Sequence, residues 1–449
     1  MGRMVSLMRG LALAAALVLA AAPLPARAAA VGAGAAGDLV QFGGGGAAPS
    51  DSGIAAANVT PSYGINLAPA NLPALRKCLS AIDGGTRTTP CLVIAIGDSL
   101  TEGYIPSGGT TLDKTAYTSV MARVLDGRPD GAGGGLRVDY DGFIGDGTNG
   151  GGAISYRNAL WTGMFTSFAG GWTDATGGWP YAFFENTGSA GNFTVQPVKA
   201  ADTCTLWTHG YAGSGLGALH AQFGTGSAVT VDENTSAGAL TTNLLQTTVS
   251  AASLGVQALT LTWSSGGVVY VLGADCYDST HPGISIVNAG AYGSEAATWG
   301  SVSNLASGGA MNDIAAIAPA ACLIQLGGSD MVINGATAAT TAAFLNSIIG
   351  ACQGAGADAV LIADGHSNSG SFSDTSLGAV TAMQYGVANA NPQGPGHVPL
   401  WDLFGAGVSW SYWSGEGWTA SDNTHYSPAG YAFMGRFEAQ EFCTMLGCE

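Results

Sequence analysis

The chain of 449 residues reads as an α/β fold, a parallel sheet with helices on both faces, interrupted by an all-β sandwich. Three observations predict this. Five apolar runs, residues 92–96, 284–288, 322–326, 359–363 and 398–403, each end in turns built from Gly, Asp or Ser. Helical patterns at 294–305, 336–352 and 376–390 lie between the later runs, the rhythm of strand and helix units in one sheet. Between the first and second runs, residues 191–278 carry short β-branched segments separated by turn residues at a spacing of about ten, which predicts a small sandwich.

Taken in order, Arg3 and Arg9 precede an apolar stretch at 11–22, and Ala26, Arg27 and Ala28 supply a small-x-small cleavage pattern. Residues 1–28 are therefore expected to be a signal peptide, the stretch being too short to cross a bilayer comfortably. Export follows, to the periplasm or the medium. Residues 29–60, mostly Ala, Gly and Ser, lack the apolar surface to offset ordering entropy and read as a flexible segment. The α/β domain is then expected in two parts, 61–165 and 281–449, around an insert at 166–280. Leu72, Leu75, Leu79 and Ile82 give an amphipathic helix with Pro73 in its first turn. A second helix is expected over 116–125 and a strand over 136–140. From 142 to 191 Gly and aromatic residues dominate, including Trp161, Trp172 and Trp179, which either stack on sugar rings or fill the seam between domains. Ser427 as N-cap and Pro428 as first residue start a closing helix that runs to about Met445.

The balance of 13 Lys plus Arg against 30 Asp plus Glu gives a formal charge of −17, which argues against nucleic acid or an anionic membrane as partner. Neutral or weakly charged substrates suit such a chain. Eight cysteines in an exported protein suggest disulfides. Nearest-neighbour pairing is the simplest of many connectivities: Cys78 with Cys91, Cys204 with Cys276, Cys322 with Cys352, Cys443 with Cys448. No Cys or His cluster has zinc-ligand spacing, so neither metal nor cofactor is expected.

The candidate chemistry starts at Ser99, which stands at the carboxyl end of the first predicted strand, where open α/β sheets keep their sites. A serine hydroxyl needs a neighbouring base. His425 is the candidate, with Asp422 three residues earlier able to hold the second ring nitrogen. The same residues also fit a solvated turn at Ser99 and an Asx-turn at Asp422. Acyl transfer further requires donors for a developing oxyanion, and the N–H groups of Ser99 and Gly293 and the hydroxyl of Ser329 all follow strand ends. His366 also follows a strand and reads either as facing substrate or as a solvated loop residue. His209, His220 and His281 are scattered, and Asp330 and Glu102 read as capping or solvated groups or as neighbours tuning His425.

These blocks resemble those of the SGNH/GDSL hydrolase superfamily, serine esterases and lipases of flavodoxin-like three-layer α/β/α fold. Gly97-Asp98-Ser99-Leu100 is similar to its first block and gives Ser99 the nucleophile's place and one oxyanion N–H. Asn288-Ala289-Gly290-Ala291-Tyr292-Gly293 is similar to the second and gives Gly293 an oxyanion role. Asp422-Asn423-Thr424-His425 is similar to the last and completes a triad. The third block departs from the pattern: Gly327-Gly328-Ser329-Asp330 has Ser where the family has an oxyanion-hole Asn. Serine still donates, over a shorter reach or through a water, and losing such a donor costs about 3 to 4 kcal/mol. The resemblance covers roughly residues 90–165 and 281–442, and the insert is similar to jelly-roll, carbohydrate-binding-like domains of some SGNH esterases. It implies a five-stranded parallel sheet and a secreted serine esterase acting on small acyl esters, O-acetyl first, of a glycan. An O-acetyltransferase with the same triad, a lipase with long-chain preference and a glycan-binding protein on a decayed hydrolase scaffold are the alternatives. Oligomeric state stays open.

Overall fold

The computed structural model describes residues 63–106, 116–129, 135–144, 165–168, 171–175, 183–210, 215–234, 244–305 and 309–448. The expected signal peptide and Ala/Gly-rich segment, and Trp161 and Trp179 of the aromatic-rich stretch, lie outside the described residues. Among the described residues six strands run parallel: β1 (Cys91–Gly97), β2 (Val138–Ile144), β3 (Ile284–Gly290), β4 (Ala321–Gln325), β5 (Asp358–Ala363) and β6 (Leu400–Asp402), in the spatial order β6-β5-β4-β1-β3-β2. The helices that frame the sheet and the site are α1 (Pro73–Asp83), α2 (Ser99–Glu102), α3 (Tyr117–Leu125), α4 (Ala296–Gly300), α5 (Ala310–Ile317), α6 (Ala338–Gly354), α7 (Asp374–Ala390) and α8 (Pro428–Leu446); short helices also span Val302–Leu305, Leu403–Ala406 and Trp410–Gly415. A two-residue strand, Gly64–Ile65, closes the β6 edge antiparallel.

β1 is central and buried along its length, which is why its sequence is an unbroken apolar run. Its residues alternate between two cores. Val93 and Ala95 pack with Leu75, Tyr117, Met121, Tyr431 and Met434, whereas Ile94 and Ile96 pack with Val287, Ile324, Leu345, Ile348 and Leu361. The result is one helical layer on each side of the sheet. From β1 the chain crosses to β2 on one side, and from β3 to β4 on the other, so the connections diverge at β1. Such a switch point leaves a crevice outside the strand ends.

The count of five parallel strands is corrected to six. The additional member, Val138–Ile144, overlaps the strand expected over 136–140 but reads VDYDGFI, and its two Asp and one Gly kept it out of the set of apolar runs counted into the sheet. It is held by pairing with β3 and by Lys199, whose ammonium lies 2.7 Å from Asp126 and donates to the Val138 carbonyl. The described strands between residues 165 and 277 form two antiparallel groups. One is a five-stranded sheet of Val229–Asp232, Gly217–Phe223, Leu259–Gly266, Asn192–Val195 and Phe165–Phe168. The other contains Leu244–Gly255, Ala201–His209, Val269–Tyr277, Phe183–Asn186 and Trp172–Ala175, and it continues the parallel sheet, because Val269–Tyr277 pairs antiparallel with β2. Leu219, Phe223 and Leu261 of the first group share a core with Leu206, Val249 and Val271 of the second.

Four disulfides join Cys78 to Cys91, Cys204 to Cys276, Cys322 to Cys352 and Cys443 to Cys448. The second links residues directly opposite each other on neighbouring strands. Beside it Asp275, fully buried and hydrogen-bonded by the Ser285 hydroxyl, has its carboxyl pushed up to about 7 by burial. This is above its unfolded value, so between about pH 4 and 7 the folded state holds a proton that the unfolded state has lost, and stability falls as pH rises through that window. Asp275→Asn, which mimics the protonated group, is expected to raise Tm at pH 8 and to change it little at pH 4.5. Thermal scans at both pH values check this, and equal shifts would contradict it.

Candidate active site

Ser99 owes its position to the way β1 stops. Asp98 leaves the strand with φ −97° and ψ −150°, and its side chain accepts from the Leu100 N–H at 2.9 Å, capping α2. Ser99 is thus the first residue of a single helical turn, which Gly103 ends at φ +91°. The turn fits against the sheet because Gly97 and Gly290 lack side chains. A Cβ at Gly97 would lie 1.9 Å from Thr101 Oγ1, and one at Gly290 would lie 2.2 Å from the Glu102 nitrogen. Asn288 fastens the same turn by donating to the Thr101 carbonyl at 2.8 Å.

The loop before α8 brings in the other two residues. Ser427 caps that helix, accepting from Gly430 N–H at 3.2 Å, and Pro428 begins it. Just upstream, Asp422 accepts from the backbone N–H groups of Thr424 and His425 at 3.1 and 3.0 Å, and its second oxygen lies 2.5 Å from His425 Nδ1. The Asx-turn and the imidazole contact are therefore both present on one carboxylate. His425 Nε2 lies 2.8 Å from Ser99 Oγ. Burial works against the charge on Asp422, but the bonds from the His425 ring and from two backbone N–H groups outweigh it and hold this carboxyl below the usual range. An ionised carboxylate only accepts, so Nδ1 carries the proton and Nε2 offers a lone pair to the serine hydroxyl.

Gly293 lies on the loop after β3, exposed and at φ +73°, where a residue with a side chain is disfavoured. That loop is tied to the end of β1: Ala291 N–H and Ser294 Oγ both donate to the Gly97 carbonyl, at 3.0 and 2.9 Å. Ser329 opens the helical turn after β4, and its hydroxyl donates to Asp98 Oδ2 over a long 3.4 Å. Asp98 is itself fully buried. Burial and the neighbouring Asp364 carboxyl push its pKa well up, so the capping carboxyl behind Ser99 tends to keep its proton.

Two carboxyls and a histidine have structural places. Asp330 accepts from Ala296 and Ala297 N–H at 2.8 and 2.9 Å, capping α4 and locking the loop after β4 to the loop after β3. Glu102 is fully buried rather than solvated. His366 is buried rather than solvated, between the Phe404 and Trp413 rings, with Nδ1 2.6 Å from Asp374 and Nε2 3.0 Å from the Phe404 carbonyl, so both ring nitrogens are engaged in fixing the loop after β5. Sequence reasoning missed what that loop does. Ser367 donates to the Thr424 carbonyl at 2.8 Å, Asn368 N–H to the Asn423 carbonyl at 2.9 Å, and Ser369 meets the Thr424 hydroxyl, so residues 367–369 clamp the segment between Asp422 and His425. It also missed two tyrosines. Tyr104 and Tyr292 pack on each other and flank the His425 ring. Single aromatics in Gly-containing loops were their only trace.

Of the described residues, no three His, Cys, Asp or Glu side chains are grouped so as to hold a metal ion. A cavity of about 440 Å³ lined by Arg76, Arg87, Arg137 and His281 lies at the opposite, amino-terminal edge of the sheet, away from Ser99.

The fold is shared with a solved esterase. One solved structure, a peptidoglycan O-acetylesterase, superposes with a TM-score of 0.60 at 17% identity, over 85% of this chain and 99% of that one. A family 3 carbohydrate esterase from Talaromyces cellulolyticus matches with a TM-score of 0.29 at 16% identity, over 36% of this chain and 72% of its own. A family two carbohydrate esterase from Clostridium thermocellum matches with a TM-score of 0.27 at 11% identity, over 60% of this chain and 96% of its own. No family model matches the sequence, and no curated protein does.

The ring tautomer is directly measurable. Nitrogen-15 NMR at pH 8 should show His425 protonated on Nδ1 and bare on Nε2, and Asp422→Asn should shift the ring toward the other tautomer. A wild-type ring protonated on Nε2 would contradict the geometry.

Proposed function

We propose that the protein is an exported serine esterase that removes small acyl groups, acetyl first, from a glycan. The observation that carries this is the relay of 2.8 Å from Ser99 Oγ to His425 Nε2 and 2.5 Å from His425 Nδ1 to Asp422. In this reading His425 takes the hydroxyl proton as Ser99 Oγ adds to the ester carbonyl, and Asp422 holds the imidazolium that forms. The N–H groups of Ser99 and Gly293 and the Ser329 hydroxyl receive the oxyanion. Collapse of the tetrahedral intermediate breaks the bond to the sugar oxygen, which leaves with the proton from His425. A water then repeats the sequence on the acyl-enzyme, releasing the carboxylic acid and free Ser99.

The glycan part rests on separate support. The protein shares its fold, over 85% of the chain, with a peptidoglycan O-acetylesterase. Export agrees with four disulfides, which persist in oxidising compartments. Ser329 in place of Asn predicts a modest rather than a lost oxyanion site.

Purified protein should hydrolyse an aryl acetate, and Ser99→Ala or His425→Ala should lower kcat by about 10³-fold or more. Rates equal in wild type and Ser99→Ala would overturn the esterase reading in favour of a binding protein. Ser329→Ala should lower kcat/KM by roughly 10- to 100-fold if its hydroxyl serves the oxyanion, and an unchanged rate would remove it from that role. Hexanoate turned over faster than acetate would favour a lipase.

A further inference from the structure

The loops around Ser99 share one electrostatic property. Residues 98–106, 291–295, 327–337, 364–373 and 420–427 contain Asp98, Glu102, Glu295, Asp330, Asp364 and Asp422 and not a single Lys or Arg. These segments offer no cation to pair with an anion and so suit an uncharged group beside the serine. Recognition must then come from shape, hydrogen bonds or apolar contact.

An apolar contact is in place. Tyr104, just after Gly103, sets its ring edge against the His425 imidazole, centroids 4.7 Å apart at 70°. Its backbone is anchored to α8, since the Tyr431 hydroxyl donates to the Tyr104 carbonyl at 2.9 Å. Tyr292, immediately before Gly293, packs on Tyr104 with centroids 4.8 Å apart and lies nearly parallel to the imidazole, 6.3 Å away at 19°. Tyr104 is partly buried, whereas Tyr292 is 36% exposed, so the pair has a fixed inner member and an outer member that meets solvent. The outer ring is joined through the peptide bond to Gly293.

We infer that Tyr292, backed by Tyr104, is a stacking platform that seats a neutral pyranose ring of the alcohol portion of the ester beside the Ser99–His425 pair. The inference rests on the esterase reading above and adds to it the residue that selects the sugar. A pyranose offers a face of C–H bonds that suits an aromatic ring, while its hydroxyls remain free for water. Because the platform is part of the segment that ends at Gly293, a ring held there lies within reach of the acyl-transfer centre. Tyr292 is a positioning residue; the reacting atoms belong to Ser99 and His425.

The test compares methyl 6-O-acetylglucopyranoside with ethyl acetate, whose alcohol has no ring, and with ethyl hexanoate, whose acyl group is long. Tyr292→Ala is expected to raise KM for the sugar ester about 10-fold with a smaller effect on kcat. The preference for sugar ester over ethyl acetate, as a ratio of kcat/KM values, should drop by a similar factor. Tyr292→Phe and Tyr292→Trp should restore the preference, because each keeps a stacking face. Circular dichroism confirms that each variant is folded. A parallel loss on sugar ester and ethyl acetate would mean that the ring acts only through His425, and a loss confined to the hexanoate would assign it to the acyl chain; either result overturns the platform while the esterase stands. A wild-type protein with no Ser99-dependent turnover of any of the three would overturn the esterase reading itself, and the platform with it.

Discussion

The register of β1 between β3 and β4 is the constraint on which the site depends. Gly97 pairs with Gly290 on one side and with Gln325 on the other, so three parallel strands end level with one another. The loops that leave them carry Ser99, Gly293 and Ser329. A slip of one residue would turn Val93 and Ala95 toward the wrong core and move Ser99 out of line with the histidine loop. Two cores, one on each face, oppose that slip. Local devices then refine the level ends: Asp98 starts the turn at Ser99, Asn288 and Ser294 tie the loop after β3 to the first strand and its helical turn, and Asp330 ties it to the loop after β4.

Three carboxyls near the serine illustrate how environment separates chemically identical groups. Asp422 is partly exposed and accepts three hydrogen bonds, which keep it ionised and fit it to face an imidazolium. Asp98 and Asp364 are buried, and burial pushes both toward the neutral form. A neutral Asp98 still accepts from Leu100 N–H, so the cap survives. The Ser329 hydroxyl sits between these demands, weakly bonded to Asp98 in the resting site.

Much of the architecture was legible in the sequence because burial on both faces writes itself as unbroken apolar runs, as at β1, β3, β4 and β5. Val138–Ile144 was not counted in the parallel sheet, since its polar residues break the apolar run; Asp139 is paired with Arg137 two residues before it and with Lys199 from beyond the strand. The pairing of the insert with β2 was equally hidden. Antiparallel pairing of Gly273 with Ile144 is a backbone matter and leaves no side-chain signature. The Ser, His and Asp were legible because each sits in a short pattern tied to a strand or helix end. The clamp at residues 367–369 was not, as it works through the carbonyls of Asn423 and Thr424. His366 shows the converse: a histidine after a strand reads as facing substrate or solvent, yet it is buried and both its nitrogens are engaged in fixing the loop.

The proposed function requires the Ser99 hydroxyl to be made nucleophilic by an imidazole 326 residues further along the chain, which it contacts. Its most direct measurement is covalent trapping with a fluorophosphonate followed by peptide mass spectrometry. The account predicts a single adduct on the peptide containing Ser99, formed in wild type and absent in His425→Ala. No adduct, an adduct on another serine, or labelling that proceeds equally well without His425 would contradict it.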